Sequence, residues 1–361
     1  TELQHSGASG ANITLDSSKN VTCENNLTVD GTTTLTGAVT GTPLSFRNLI
    51  VNGAMQVAQR GTSFTTDGYT VDHFAHKYAA EDEMSTHAQV TLTSSDTGPW
   101  EKGFRKAVQI TNGDQTSGAG AGDYARTHVK IEAQDLASSG WEYTSTSSNI
   151  TFSFWVKSSV AQTFHAFWQT QDGTQQQYPF SYALSANTWT KVVKTIPGNS
   201  NIQIDSNADA GMTLYMYMFA GTNFTDAGVT LNAWGAYNSS AQTPNDTSTW
   251  YTTNDATFSY TGFQLEVGDT ATEFEHRSYG DELARCQRYY YQFAALSNNY
   301  MPSVGSTARS RFFISHPVTM RDSPTATMSN YTIETNTVGM SAYESNDQTN
   351  VLFACTVAAE L

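Results

Sequence analysis

Charge is scarce in this 361-residue chain, where Asp, Glu, Lys and Arg make up only 14% of residues. That is about half the share of an ordinary globular domain. Basic residues are scarcer still, since 18 Lys and Arg face 33 Asp and Glu for a formal net charge of −15. Nucleic-acid partners need basic patches to neutralise phosphate, so that class is excluded. Cysteine is limited to Cys23, Cys286 and Cys355, far apart and with no CxxC pair, which suggests neither a disulfide framework nor a zinc knuckle. No apolar run approaches the length of a bilayer-spanning helix, and no basic segment with an apolar core opens the chain, so it reads as made in the cytoplasm without membrane insertion. Helical periodicity is almost missing. There is no phosphate loop, Gly-x-Ser-x-Gly elbow or His-Glu-x-x-His helix, and the Gly118-Ala119-Gly120-Ala121-Gly122 run lacks the Lys-Ser/Thr ending a phosphate loop requires. His73 and His76, three apart on a predicted strand, point to opposite faces and cannot share a metal. Neither a metal nor a cofactor is expected.

What is present favours strands and turns. Aromatic residues reach 12%, and Thr, Ser, Asn and Gly are abundant. In residues 1–45, Asn12-Ile13-Thr14-Leu15-Asp16 returns fourteen positions later as Asn26-Leu27-Thr28-Val29-Asp30. Asn20-Val21-Thr22-Cys23 returns at the same offset as Thr34-Leu35-Thr36-Gly37, and Ala38-Val39-Thr40-Gly41 trails off as a fragment. Each piece alternates an aliphatic residue with a hydroxyl, the pattern of a short strand. Its aliphatic positions, Ile13, Leu15, Val21, Leu27, Val29, Leu35 and Val39, are too sparse to offset the backbone entropy of ordering a lone arm. They are therefore expected to pack against identical copies wound around a common axis.

A different texture follows over 46–280. Strand-like stretches at 48–51, 71–78, 89–92, 106–111, 124–132, 150–157, 163–170, 189–196, 212–219 and 257–264, separated by Gly- and Ser-rich turns, predict an antiparallel β-sandwich. Phe152-Ser153-Phe154-Trp155-Val156-Lys157 and Leu214-Tyr215-Met216-Tyr217-Met218-Phe219 carry large residues on both faces and should be central strands. Residues 281–361 read as a short helical hinge, 280–288, leading to a small β domain with strands near 311–315, 325–328, 332–335 and 351–357. The helix has acids in its first turn and arginines in its last, as the helix dipole favours.

Several phrases now carry a family likeness. Asn48-Leu49-Ile50-Val51-Asn52-Gly53-Ala54-Met55-Gln56-Val57-Ala58-Gln59-Arg60-Gly61 with Tyr69-Thr70-Val71-Asp72-His73-Phe74 resembles the opening of a domain common in tail fibres and related structural proteins of marine bacteriophages. Thr261-Gly262-Phe263-Gln264-Leu265-Glu266-Val267-Gly268, Ala271-Thr272-Glu273-Phe274-Glu275 and Arg285-Cys286-Gln287-Arg288-Tyr289-Tyr290 resemble its closing strand and exit. The repeat arm is similar to fibre-shaft segments of those proteins, and His316-Pro317-Val318-Thr319-Met320-Arg321 to a phrase near their C-termini. The likeness covers most of the chain in a consistent order. It implies a trimeric, all-β virion protein with an intertwined N-terminal shaft, a jelly-roll sandwich like carbohydrate-binding modules, and a small C-terminal β region. Its partners would be two further copies of itself, other tail or capsid proteins, and a host-surface glycan. Where related modules place an acid near a structural calcium, Met55-Gln56 stands here.

Sugar binding needs flat aromatic faces beside amide and hydroxyl groups. Trp234 with Tyr237 and Asn238, Trp250 with Tyr251, Trp141, and Trp168 with its neighbouring glutamines all fit, although aromatics are first of all core material. The stretch 231–254, with aromatics among Ser, Thr, Asn and Pro, is the leading recognition loop. The expected function is host-glycan attachment by a non-enzymatic tail-fibre subunit. The alternatives are a non-recognising head decoration or tail adaptor, and a glycan depolymerase, which would need two converging carboxylates. Glu81-Asp82-Glu83 reads instead as a solvated turn.

Overall fold

The computed structural model describes residues 2–3, 13–15, 21–23, 47–293, 311–327, 332–343 and 355–361. The chain divides into one unit over Thr1–Thr42 and a second over Pro43–Leu361. In the first, β1 (Glu2–Leu3), β2 (Ile13–Leu15) and β3 (Val21–Cys23) form a three-stranded antiparallel sheet in that order. Leu15 lies opposite Val21 and Thr14 opposite Thr22, so the two alternating pieces of the first repeat copy pair with each other. Leu27, Val29, Leu35 and Val39 lie outside the described residues.

The second unit opens with β4 (Ser63–Phe64), β5 (Gly68–Tyr69), β6 (Ala75–Ala79), β7 (Thr86–Thr91), β8 (Lys106–Thr111) and β9 (Tyr124–Glu132). After the short helix α1 (Ala133–Ala137) come β10 (Asn149–Ser158), β11 (Gln162–Thr170), β12 (Gln176–Leu184), β13 (Thr190–Pro197) and β14 (Ala210–Ala220). The two-residue β15 (Gly235–Ala236) and then β16 (Thr257–Val267) complete the sandwich. One sheet has the order β13-β10-β16-β8-β7-β4 and the other β15-β12-β11-β14-β9-β6-β5. From β9 onward the chain passes repeatedly between the sheets, as in a jelly roll, and every strand pair is antiparallel. Between the sheets Phe152, Phe154, Phe164, Trp168, Phe180, Met216, Phe258 and Phe263 are fully enclosed, with Phe263 meeting Phe152 and Phe154 at ring distances of 5.5 and 5.1 Å.

The strand predicted at 48–51 is instead a turn. Asn48 donates from its amide to Phe263 O and accepts from Ile50 N and Leu265 N, while Asn52, at φ 58°, accepts from Val57 N and donates to Val57 O and Asp72 O. Asn48 thus ties the opening phrase to β16, beside backbone bonds from Leu49 N to Leu265 O and from Phe263 N to Gly53 O, while Asn52 closes the turn onto Val57 and Asp72. Gly53 is obligatory there, because a Cβ would stand 2.1 Å from Phe263 O. Strand β12, absent from the sequence reading, contains Pro179. Its place is next to the edge, with β15 reaching only Gln176 and Gln177, and Pro179 O accepts from Asn232 N of a loop, so the missing N–H points where no ladder bond is made.

Helix α2 (Tyr279–Gln287) is capped by Ser278, whose hydroxyl accepts from Asp281 N, with Asp281 and Glu282 in the first turn and Arg285 in the last. Beyond it β17 (Tyr290–Phe293), β18 (Arg311–Ser315), β19 (Thr325–Thr327), β20 (Thr332–Thr335), β21 (Gly339–Tyr343) and β22 (Cys355–Ala358) make two three-stranded sheets, β17-β22-β19 and β18-β21-β20. They enclose a small core of Tyr291, Met320, Met340, Cys355 and Val357. This region is fastened to the sandwich: Arg288 and Tyr289 bond Glu132 of β9, Arg60 pairs with Glu360, and Arg321 donates to Ala208 O.

Candidate glycan-binding face

The sequence-predicted aromatic sites separate sharply in space. Trp168 and Trp250 are fully buried, Tyr251 stacks on Phe219 at 4.3 Å, and Trp141 is enclosed with its indole donating to Ser148 O. These four belong to the hydrophobic core and offer no ring face to a ligand, because their strands and turns direct them between the sheets. Trp234 is half-buried, seals the sandwich edge against Tyr178 at 5.4 Å, and donates to Pro197 O at 2.6 Å. Tyr237 and Asn238 remain at the surface, and with Trp234, Gln177, Pro179 and residues 228–230 they line a cleft of about 520 Å³.

That cleft adjoins a larger feature, the outer face of the seven-stranded sheet. Alternation along β11 and β14 sends Phe164, Ala166, Trp168, Met212, Leu214 and Met216 inward, leaving His165, Phe167, Gln169, Thr213, Tyr215 and Tyr217 outward. Cross-strand register then builds three rows. Phe167 faces Tyr215, which faces His128; His165 faces Tyr217, then Arg126, then Lys77; Gln169 faces Thr213, then Lys130. Tyr215 stacks on Phe167 at 4.9 Å and 21°, and Tyr237 lies nearly parallel to Phe167 at 6.3 Å and 26°.

Residues 221–250 roof one half of this face. Gln242 accepts from the Tyr217 hydroxyl, Asp246 pairs with His165 Nδ1 at 3.2 Å, and Ala241 O accepts from Gln177 at 3.2 Å. A strip of Tyr124, Arg126, His128, Tyr215 and Tyr237 stays partly exposed beside the roof. The Arg126 guanidinium lies 4.7 Å from the Tyr124 ring centre and 4.8 Å from that of Tyr215, contacts worth about 0.5–2 kcal/mol each. Gln171, Gln175 and Gln169 form an amide ladder at the end of β11, with Gln169 donating to Gln175 at 3.0 Å and Gln171 to Thr213 at 3.1 Å. Flat rings flanked by amides, a guanidinium and an imidazole are the equipment for stacking on a pyranose and bonding its hydroxyls.

The sequence reading missed Tyr215, Tyr217 and Arg126. The signal was present as Tyr215-Met216-Tyr217-Met218 and Arg126-Thr127-His128-Val129-Lys130, period-two segments in which one set of side chains enters the core and the other forms a polar-aromatic face.

Glu81-Asp82-Glu83 is a turn with structural duties. Glu81 accepts from Ser85 N, Asp82 from Ser117 N and Glu83 from Asp114 N, pinning the loop after β8. His73 precedes β6 at φ 75°, while His76 lies in it and packs 4.3 Å from His87. Among the described residues no three His, Cys, Asp or Glu side chains converge as metal ligands. Cys286 and Cys355 are both buried free thiols.

No family model matches the sequence, and no curated protein does. Among solved structures, the chain is similar to a family 16 carbohydrate-binding module at 11% identity, covering 50% of this chain and 84% of the module with a TM-score of 0.26. It is similar to the N-terminal cellulose-binding domain of a Cellulomonas fimi β-1,4-glucanase at 10% identity, covering 60% and 99% with a TM-score of 0.28. A family 11 carbohydrate-binding module of a Clostridium thermocellum cellulosomal cellulase matches at 11% identity over 60% and 98%, with a TM-score of 0.26. At these scores the likeness decides nothing about the ligand. The antiparallel sandwich itself stands on this chain's own sheet order and register.

Proposed function

We propose that this chain is a glycan-binding subunit of a bacteriophage tail fibre, assembling as a trimer through its repeat arm and contacting a host-surface polysaccharide through the outer face of the seven-stranded sheet. The observation that carries the binding reading is the partly exposed strip of Tyr124, Arg126, His128, Tyr215 and Tyr237, on a face whose other side is the closed core. Binding is favoured over cleavage because the acids near this face are engaged structurally, Asp67 with Lys77, Asp246 with His165, and Glu132 with Arg288 and Tyr289. The fibre and trimer readings rest on the arm repeat and on the ordered phrases that resemble phage fibre domains. Three weak sites on one trimer gain avidity through effective concentration.

The test is Tyr215→Ala in a glycan-array or affinity-electrophoresis assay on the full chain. Loss of the ring should weaken binding about two- to tenfold, given the roughly 0.5–1.5 kcal/mol typical of a stacking aromatic. Trp168→Ala should lower stability by about 3–5 kcal/mol through a core cavity instead. Unchanged binding by Tyr215→Ala would contradict this placement of the site.

A further inference from the structure

Cations are few in this chain, yet β9 presents Arg126, His128 and Lys130 at every second position of its outer face, with Lys77 of β6 directly opposite Arg126. The two lysines are tied down within the protein. Lys77 pairs with Asp67 at 3.2 Å, and Lys130 donates to Leu361 O at 2.5 Å. Arg126 has no carboxylate partner among the described residues. Its one hydrogen bond runs from Nη1 to the Tyr217 hydroxyl at 2.7 Å, and that hydroxyl is itself committed to Gln242. Its Nε is screened from solvent with no hydrogen-bond partner, and so is His128 Nδ1 one register row away.

A guanidinium held between tyrosine rings, with its Nε shut off from water and unbonded and its outer edge open to solvent, is left with donors for a ligand on that side. Neighbouring cations raise the cost of leaving it unbonded, since Lys130 and Lys77 crowd the same face. The planar fork suits a carboxylate or sulfate, and an adjacent half-exposed ring suits the sugar that carries it. We infer that the glycan read by this face is acidic, with a carboxylate or sulfate on a ring stacked against Tyr215 accepting hydrogen bonds from Arg126. This deepens the proposed glycan-binding reading and rests on it. A face for neutral polysaccharide has no use for three positive side chains gathered in a chain of net charge −15.

The experiment compares the full chain on matched pairs: a polyuronate with its carboxyl-reduced form, and a sulfated galactan with its desulfated form. The acidic member of at least one pair should bind at least tenfold more tightly, with the advantage shrinking as salt rises, and which pair responds separates carboxylate from sulfate. Arg126→Gln should lose at least tenfold on the acidic glycan and several-fold less than that on the neutral one, while Arg126→Lys retains part of the binding. If Tyr215→Ala weakens binding but Arg126→Gln and removal of the acid do not matter, the site stands and the acidic-ligand inference falls. If neither substitution changes binding, or no glycan binds the folded chain, both fall.

Discussion

A histidine whose burial outweighs any nearby carboxylate stays neutral, and this chain holds several. Burial, reinforced by Lys130, Arg126 and Lys77, lowers the His128 pKa to about 3; burial does the same for His73, opposed by Glu132. His76, between Thr127 and Tyr260, is lowered by burial and then by His87 and His128. The ordinary value is 6.5. Because the folded-state value lies below the unfolded one, the unfolded chain binds more protons in acid, so stability is complete above about pH 6.5 and declines toward pH 3. Each such histidine contributes up to about 1.4 kcal/mol per pH unit in that window. The urea midpoint should therefore fall clearly between pH 7 and pH 5, and His128→Gln should flatten the slope. A midpoint constant over that interval would contradict the neutral, buried assignment.

Among the elements, those with two-faced patterns were legible and those stabilised by side-chain punctuation were not. Lys106–Thr111 and Tyr124–Glu132 form where alternation predicts them, and β10 and β14 extend one or two residues beyond their predicted ends. The 48–51 stretch reads as a strand from its aliphatic residues, yet Asn48 and Asn52 supply hydrogen bonds that make it a turn. Strand β12 was hidden by Pro179, whose harmlessness depends on the loop that supplies Asn232. The site was half legible for a related reason. A tryptophan in a turn-rich segment looks exposed, but Trp250 is buried beside Asn112, whose amide caps the carbonyls of Trp250 and Tyr251. The tyrosines of β14 look like core, but register with β9 puts them on the outer face.

For the whole molecule, the arm and the remainder form separate units, and the arm's described strands pair antiparallel in one chain. With so few aliphatic positions the arm should still draw its stability from other copies. Deleting residues 1–41 should then lower the mass measured by light scattering from that of a trimer toward that of a monomer, while the far-ultraviolet β signal persists. A trimer mass unaffected by the deletion would place assembly elsewhere.

Glycan bound on the outer face of the seven-stranded sheet should slow hydrogen–deuterium exchange there, measured on the full chain with and without a glycan that it retains. Protection should rise in segments 124–130, 213–217 and 235–242 while the six-stranded sheet is unchanged. Protection confined to β7, β8, β10 or β13 would put the binding face on the six-stranded sheet instead.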